Sequence, residues 1–110
     1  MRRLIRYFIS SGMMCFVALV TTTHAQSGPA TIYKTNCAIC HGSDGSADTP
    51  TGKALHAKDL RSEEVQTKSD AELADVITKG NGGMPAFGAK LAPEDIQRVL
   101  AYIRDLAKKK

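Results

Sequence analysis

The sequence indicates a small all-α domain. Apolar residues recur at helical spacing in two long segments, the flanking residues have the chemistry of helix caps, and no segment alternates polar and apolar residues as a β-strand does. The clearest helix begins at Pro93, which suits a first turn, with Glu94 and Asp95 near the positive end of the helix dipole. Its apolar stripe consists of Ile96, Val99, Leu100, Ile103 and Leu106.

A second helix is predicted from about Ser69 to Lys79. Ser69 and Glu72 have the spacing of a capping box, in which each side chain accepts a hydrogen bond from the other residue's backbone N–H. Gly80 suits the left-handed conformation that often follows a helix. The apolar stripe of this helix is Leu73, Val76 and Ile77.

A shorter first helix is predicted from Pro29 to about Cys40, and one or two helical turns are predicted within residues 59–66. Two segments rich in glycine, residues 41–52 and 81–91, are predicted to be loops. Because long loops in a small domain are usually functional or disordered, these two are candidate functional segments.

Residues 1–25 are predicted to be a cleaved signal peptide rather than part of the domain. Three arginines among the first six residues precede an uncharged apolar run over residues 7–20, and a site similar to Ala-x-Ala ends the segment at Ala25. The run of 14 residues is shorter than the about 20 that a membrane-spanning helix needs. The mature chain would be residues 26–110, a single domain of 85 residues exported to the periplasm.

The mature chain is nearly neutral. Removing the signal takes three of the 15 basic residues, so the net charge falls from +4 to +1. A nucleic-acid partner is not expected, because the sequence shows no basic face with interleaved aromatic residues. The basic run Lys108–Lys110 is interpreted as a solvated terminus. Only three aromatic residues remain to build a core, namely Tyr33, Phe87 and Tyr102.

Cys37, Cys40 and His41 stand together in the sequence NCAICH, for which four interpretations compete. A disulfide over so short a loop would remove little entropy from the unfolded chain. A structural zinc site needs four ligands, and only His56 could join these three. A thioredoxin-like dithiol needs a βαβ context that the sequence does not predict.

Covalent attachment of haem explains the motif best. Cys-x-x-Cys-His is the signature of c-type haem, in which each thiol bonds to a vinyl group and the histidine binds the iron. A buried porphyrin would also complete the small core. Such attachment is made outside the cytoplasm, which agrees with the predicted export.

Met84 is the predicted second axial ligand, because it is the only methionine outside the signal segment. It stands in a glycine-rich loop before Pro85, whereas a methionine that only fills a core is more often found on a helical stripe. His56 is the competing ligand, but its surroundings lack glycine-rich loop chemistry, and it is interpreted as a surface or propionate-facing residue.

With these residues identified, the chain resembles the class I cytochromes c of the short bacterial type. The resemblance rests on CAICHG, on KSDAELADVITKGNGGMPAFGAKL and on APEDIQRVLAYIRDL, which span most of the mature chain. It implies three main helices plus loops wrapped around one covalently bound haem c, with the first and last helices crossing near Tyr102. The carried-over roles are thioether links for Cys37 and Cys40, the proximal ligand for His41, the distal ligand for Met84, and a carbonyl at Pro50 that accepts a hydrogen bond from the proximal imidazole.

The function expected from this resemblance is electron transfer, without catalysis. With both axial positions filled, the iron has no position for a substrate. The expected protein is a monomeric periplasmic carrier that meets its redox-protein donor and acceptor transiently and meets a membrane only through partner complexes. The alternatives are a haem c subunit of a larger membrane or periplasmic oxidoreductase, and a haem-based ligand sensor or enzyme with a labile Met84.

Overall fold

The structure is a computed structural model that describes residues 27–110, so the predicted signal peptide lies outside the described residues. The predicted all-α class is confirmed, and the described part of the chain contains an isolated β-bridge between Asn81 and Met84 but no strand. No helix within 27–110 is long and apolar enough to cross a membrane. The helices are α1 (Pro29–Asn36), α2 (Ala38–His41), α3 (Pro50–Leu55), α4 (Glu63–Gln66), α5 (Asp70–Lys79) and α6 (Pro93–Lys108).

The predicted stripe of α6 forms the centre of the core. All five of its apolar residues are at most 6% exposed. Pro93 occupies the first turn. Ala92 before it contributes no side-chain cap, because a methyl group cannot accept a hydrogen bond. The helix therefore gains its stability from the burial of one face. This face packs against residues of α1 and α5.

The first and last helices meet at two tyrosines, as the resemblance implied. The ring centroids of Tyr33 and Tyr102 lie 5.1 Å apart, with the rings tilted by 46°. Tyr33 is 1% exposed, and its hydroxyl donates a hydrogen bond of 2.7 Å to the carbonyl of Gly42. Burial raises the pKa of this hydroxyl, so it remains a neutral donor throughout the physiological pH range.

The capping box that begins α5 is confirmed. The Ser69 N–H donates to Glu72 Oε2 at 2.7 Å, and the Glu72 N–H donates to Ser69 Oγ at 3.1 Å. The predicted stripe divides between two surroundings: Ile77 is buried in the core, where Leu73 packs beside it, and Val76 lines a cavity.

The first predicted helix is interrupted, which corrects the expectation of one continuous helix from residue 29 to residue 40. Cys37 has φ −117° and separates α1 from α2. Its N–H still donates to the Tyr33 carbonyl, and its own carbonyl accepts from His41 at 2.9 Å. A single residue thus redirects the chain and begins a new short helix that carries the motif.

Helix α3 lies partly in the segment that was predicted to be a loop as far as residue 52. Thr49 is its cap, since its hydroxyl accepts a hydrogen bond of 2.9 Å from the Gly52 N–H, and Pro50 occupies the first turn. Thr-Pro is a recognisable helix start, so this signal was present in the sequence. The short α4 lies inside residues 59–66, as predicted.

Gly52 brings α3 against the back of the motif, and its replacement by alanine is expected to destabilise the fold. A Cβ atom there would lie 2.1 Å from the Cys40 carbonyl oxygen and 2.8 Å from that of Ala47. We expect Gly52→Ala to lower the free energy of unfolding by about 1–3 kcal/mol, because the backbones would have to separate. Urea denaturation measures the change.

Gly28→Ala is the matched control, since a Cβ atom at Gly28 would meet no atom within 4 Å. The control is expected to unfold at nearly the same urea concentration as the native chain. Equal stability of the two alanine variants would contradict the close contact at Gly52.

Candidate cofactor site

A cavity of about 350 Å³ collects the four predicted site residues. Cys37, Cys40 and His41 reach it from the α1–α2 junction, and Met84 reaches it from the loop after α5. These are the residues that sequence reasoning assigned to the site, and they lie together in the structure. The larger apolar residues that complete its wall are Ile39, Leu55, Val76, Pro85 and Phe87.

The His41 imidazole is oriented by the backbone of Lys58. Its Nδ1 lies 2.8 Å from the Lys58 carbonyl oxygen, which can only accept, so Nδ1 carries the proton. The lone pair is then on Nε2, the nitrogen that is free to bind a metal. This ordering of the two nitrogens suits a neutral imidazole as an iron ligand.

The hydrogen-bond partner of His41 is therefore Lys58 and not Pro50, which corrects the residue implied by the resemblance. Pro50 begins α3, whereas the chain reaches the imidazole only after that helix has ended. Two backbone hydrogen bonds of 2.8 Å fix this part of the chain, from Ala57 to the Gly52 carbonyl and from Leu60 to that of Gly45. These bonds fix the position of the Lys58 carbonyl. Because the interaction uses the backbone, the identity of the side chain at residue 58 does not predict it.

Cys37 and Cys40 are not joined in a disulfide, and both are half-buried. Burial raises the pKa of the Cys37 thiol to about 11, with the neighbouring Cys40 a smaller cause. The Cys37 side chain also packs against the apolar core. The two sulfurs thus belong to one wall of the cavity, as a pair of anchors for one ligand requires.

The Met84 loop is held by a tight turn and by α5. The N–H of Asn81 donates to the Met84 carbonyl at 3.0 Å, and the N–H of Met84 donates to the Asn81 carbonyl at 2.9 Å. Beyond the turn, the Phe87 N–H donates to the Ile77 carbonyl at 2.9 Å. Met84 is half-buried and packs against the core, so its position is defined by the fold.

His56 also lines the cavity, which brings the competing ligand near the predicted one. It follows the end of α3 in a left-handed conformation with φ 53°, which is uncommon for a residue other than glycine. Its side chain is exposed, whereas Met84 is half-buried. The sequence analysis interpreted His56 as a surface or propionate-facing residue, and the structure has it both exposed and beside the cavity.

The residues present fit a c-type haem. The cavity offers two thiols for covalent attachment, an imidazole with Nε2 free, a thioether sulfur and an apolar wall. These groups come from α1, α2, α5 and the segments beside them, so they surround the cavity from several directions. The sequence predicted the two thiols, the imidazole and the thioether. It gave no signal that the Lys58 carbonyl would orient His41, and only a weak signal that Val76 would line the cavity.

The chain resembles known proteins over most of its length. Residues 24–103 match the protein family described as cytochrome c oxidase, cbb3-type, subunit III. The cytochrome c6 of Microcystis aeruginosa is 40% identical over 82 residues, which are 73% of this chain and 95% of that protein. The cbb3-type cytochrome c oxidase subunit FixP of Azorhizobium caulinodans is 35% identical over 86 residues, which are 76% of this chain and 28% of that protein. A solved structure, the KustC0563 c-type cytochrome, has a TM-score of 0.67 and 29% identity, and the match covers 73% of this chain and 98% of that one.

Gly80 controls the path of the Met84 loop, and Gly80→Ala is expected to disturb the position of Met84. Gly80 has φ 76°, and a Cβ atom there would lie 2.7 Å from the Met84 carbonyl oxygen. We expect a lower melting temperature. In the oxidised haem-loaded protein we also expect a weaker far-red absorption band, which would report bonding between the iron and the predicted ligand Met84.

Gly82→Ala is the matched control for this change. Gly82 also has a positive φ, of 55°, but a Cβ atom there would meet no atom within 4 Å. Both variants carry backbone strain, and only Gly80→Ala adds the clash with Met84. If the two variants lose the band equally, the clash does not govern the position of Met84.

Proposed function

The chain belongs to the class I cytochromes c, haem proteins of electron transfer, and on that premise we propose that it is a periplasmic electron carrier with a single haem c ligated by His41 and Met84. The observation that carries the proposal is the shared cavity, which brings two thiols, an imidazole and a thioether to one place. No step of substrate chemistry is required of these residues.

Each residue has a defined task in this proposal. Cys37 and Cys40 would hold the haem through two thioether bonds, and His41 Nε2 and the Met84 sulfur would bind its iron. Bound there, the haem supplies a one-electron couple at its iron. The thioether of Met84 would favour the ferrous form and so would raise the reduction potential above that of a bis-histidine site.

The surrounding chain would hold His41 and Met84 in place in both oxidation states of the iron. His41 is oriented by the Lys58 carbonyl, and Met84 is fixed by the turn that joins it to Asn81. If His41 and Met84 both bind the iron, the protein itself would supply the ligands that a substrate or a gas would otherwise replace. These features favour a carrier over an enzyme or a ligand sensor.

The periplasmic location rests on the N-terminal pattern. Residues 1–25 have the charge and apolar pattern of a cleaved signal peptide, and the family match begins at residue 24, close to the proposed cleavage after Ala25. Contacts of carriers with their donor and acceptor are small and transient, which is compatible with a monomer.

A second candidate function is a haem c subunit of a larger oxidoreductase. It is favoured by the description of the matching family as an oxidase subunit and by the similarity to part of FixP. The two candidates differ in their partner rather than in their haem chemistry. Purification from the native membrane and periplasmic fractions separates them, since a subunit would elute with a fixed stoichiometry of partner chains.

Met84→Ala tests the axial ligand. We expect the haem to stay covalently attached, the far-red band to disappear, the reduction potential to fall and carbon monoxide to bind readily to the reduced protein. The reason is that the change removes the sulfur ligand and leaves both thiols and His41 in place. Absorption spectra and a redox titration of the holoprotein measure these effects.

His56→Ala is the control for the competing ligand. It is expected to keep the far-red band and to leave carbon monoxide binding weak. If His56→Ala opens the iron and Met84→Ala does not, His56 is the ligand and the assignment to Met84 is wrong. If the native protein itself lacks the band and binds carbon monoxide, the sensor or enzyme hypothesis replaces the carrier.

The mass of the intact purified protein tests attachment and export together. We expect the mass of residues 26–110 plus one haem, and the spectrum of two thioether-linked vinyl groups in alkaline pyridine. Cys40→Ala is expected to lose most of the covalent haem, because one of the two anchors is removed. An unchanged haem content in Cys40→Ala, or a chain that retains its first 25 residues, would contradict the respective assignment.

A further inference from the structure

We propose that the ion pair between Arg61 and Asp59 directs the Lys58 carbonyl toward His41 and thereby sets the electron density on the imidazole that would bind the iron. The inference rests on the proposed ligation by His41 and adds two positioning residues, which would act on the haem only through that histidine. Among the described residues, those that line the cofactor cavity include neither Arg61 nor Asp59. Removal of the pair would therefore change the reduction potential without removing any group from the cavity wall.

The first step concerns the peptide group that joins Lys58 to Asp59. The Lys58 carbonyl oxygen, which lies 2.8 Å from His41 Nδ1, belongs to this planar group together with the nitrogen of Asp59. Two backbone hydrogen bonds of 2.8 Å fix the path of the chain at Ala57 and Leu60. Asp59 lies between these two points, so a contact that holds Asp59 also holds the plane of the peptide and the direction of the carbonyl.

The second step concerns the contact between Asp59 and Arg61, two residues later. Arg61 donates to Asp59 Oδ1 from its backbone N–H at 2.9 Å and from Nε at 3.1 Å, and it donates to Oδ2 from Nη2 at 3.1 Å. One carboxylate thus accepts three hydrogen bonds from one residue, and the guanidinium holds both carboxylate oxygens. The bonds from Arg61 lower the pKa of Asp59, so the carboxylate stays charged at neutral pH.

The third step concerns what holds Arg61 itself. Its side chain is only 21% exposed. Its stem lies over the loop that leaves the motif, because a Cβ atom at Gly45 would be 3.5 Å from Arg61 Cγ. In the same loop, Asp44 Oδ2 lies 3.9 Å from the Arg61 guanidinium. Arg61 therefore joins the segment that carries Lys58 to the loop that follows the motif.

The sign of the effect on the potential follows from the chemistry of the imidazole. When Nδ1–H donates a well-directed hydrogen bond, electron density rises on Nε2 and the imidazole becomes a more basic ligand. A more basic ligand favours ferric over ferrous iron, so the directed Lys58 carbonyl would lower the reduction potential. Loss of the pair would let the carbonyl turn away, weaken the hydrogen bond from His41 and raise the potential.

Arg61→Lys tests the proposal, because it separates the position of the carbonyl from the charge of the side chain. Lysine keeps the positive charge but cannot hold both carboxylate oxygens as the planar guanidinium does. We expect the ratio of reduced to oxidised haem, measured in the holoprotein at a fixed mediator potential, to rise several-fold. We also expect faster exchange of the His41 Nδ1 proton with solvent, followed by NMR of the reduced holoprotein with isotope-labelled histidine.

Arg98→Lys is the matched control, since Arg98 also pairs with a carboxylate through its guanidinium. The side chains of Arg98 and its partner Asp95 are 32% and 29% exposed, which is close to the 21% and 35% of Arg61 and Asp59. This control keeps its charge and loses a comparable pair within α6. It is expected to leave both the redox ratio and the exchange of the Nδ1 proton unchanged.

Asp59→Asn breaks the proposed pair from the other side with little change in shape, and faster exchange of the Nδ1 proton is expected again. If Arg61→Lys does not fold, this variant decides. An unchanged redox ratio in folded Arg61→Lys would overturn the proposal, as would proton exchange at the native rate in Asp59→Asn or equal effects of Arg61→Lys and Arg98→Lys. These outcomes reject the positioning role alone, whereas a native holoprotein in which the His41 ring protons show no haem ring-current shift rejects the proposed ligation itself.

Discussion

The buried side chain of Tyr33 connects the two parts of the molecule on which the site depends. Its ring packs against Tyr102, where α1 meets α6, and its hydroxyl donates to Gly42, the residue directly after His41. One side chain therefore fixes both the packing of the terminal helices and the point where the chain leaves the motif. In a dry interior such a hydrogen bond is stronger than at the surface. Losing its donor would leave the Gly42 carbonyl with only the longer bond of 3.2 Å from the Gly45 N–H.

The two proposed axial ligands are held by different means. His41 is part of a helix and donates a directed hydrogen bond to Lys58, so the fold determines both the position of the ring and the nitrogen that carries the proton. A thioether accepts only weak hydrogen bonds, so the placement of Met84 depends on its backbone, through the turn with Asn81 and the close approach of Gly80. The position of the His41 ring thus depends on a hydrogen bond of its side chain, and that of Met84 depends more on its backbone.

Local patterns in the sequence predicted the parts of the fold that local interactions determine. The stripe of α6 and the capping box of α5 follow from helical period and cap chemistry, and both are present. The break at Cys37 and the partnership of His41 with Lys58 depend on tertiary packing, and a backbone carbonyl is available at every residue, so the sequence carries no signal for them. Helix α3 was missed for a different reason, because its Thr49 cap was readable but lay in a segment dominated by glycine and small polar residues.

The cavity wall is built from some residues that are close together in the sequence and from others that are far from them. The proximal side is almost continuous in the chain, since the motif, Gly52 and Lys58 contact one another within residues 37–60. Met84 lies 43 residues after His41 and is joined to the rest by a few backbone hydrogen bonds. The distal loop would therefore form its own low-energy unit of local unfolding, able to open while the proximal side and the α1–α6 core stay folded. In hydrogen exchange, the amide of Met84 would lose protection in an opening smaller than the global one, and the amide of His41 would keep its protection until the whole domain unfolds.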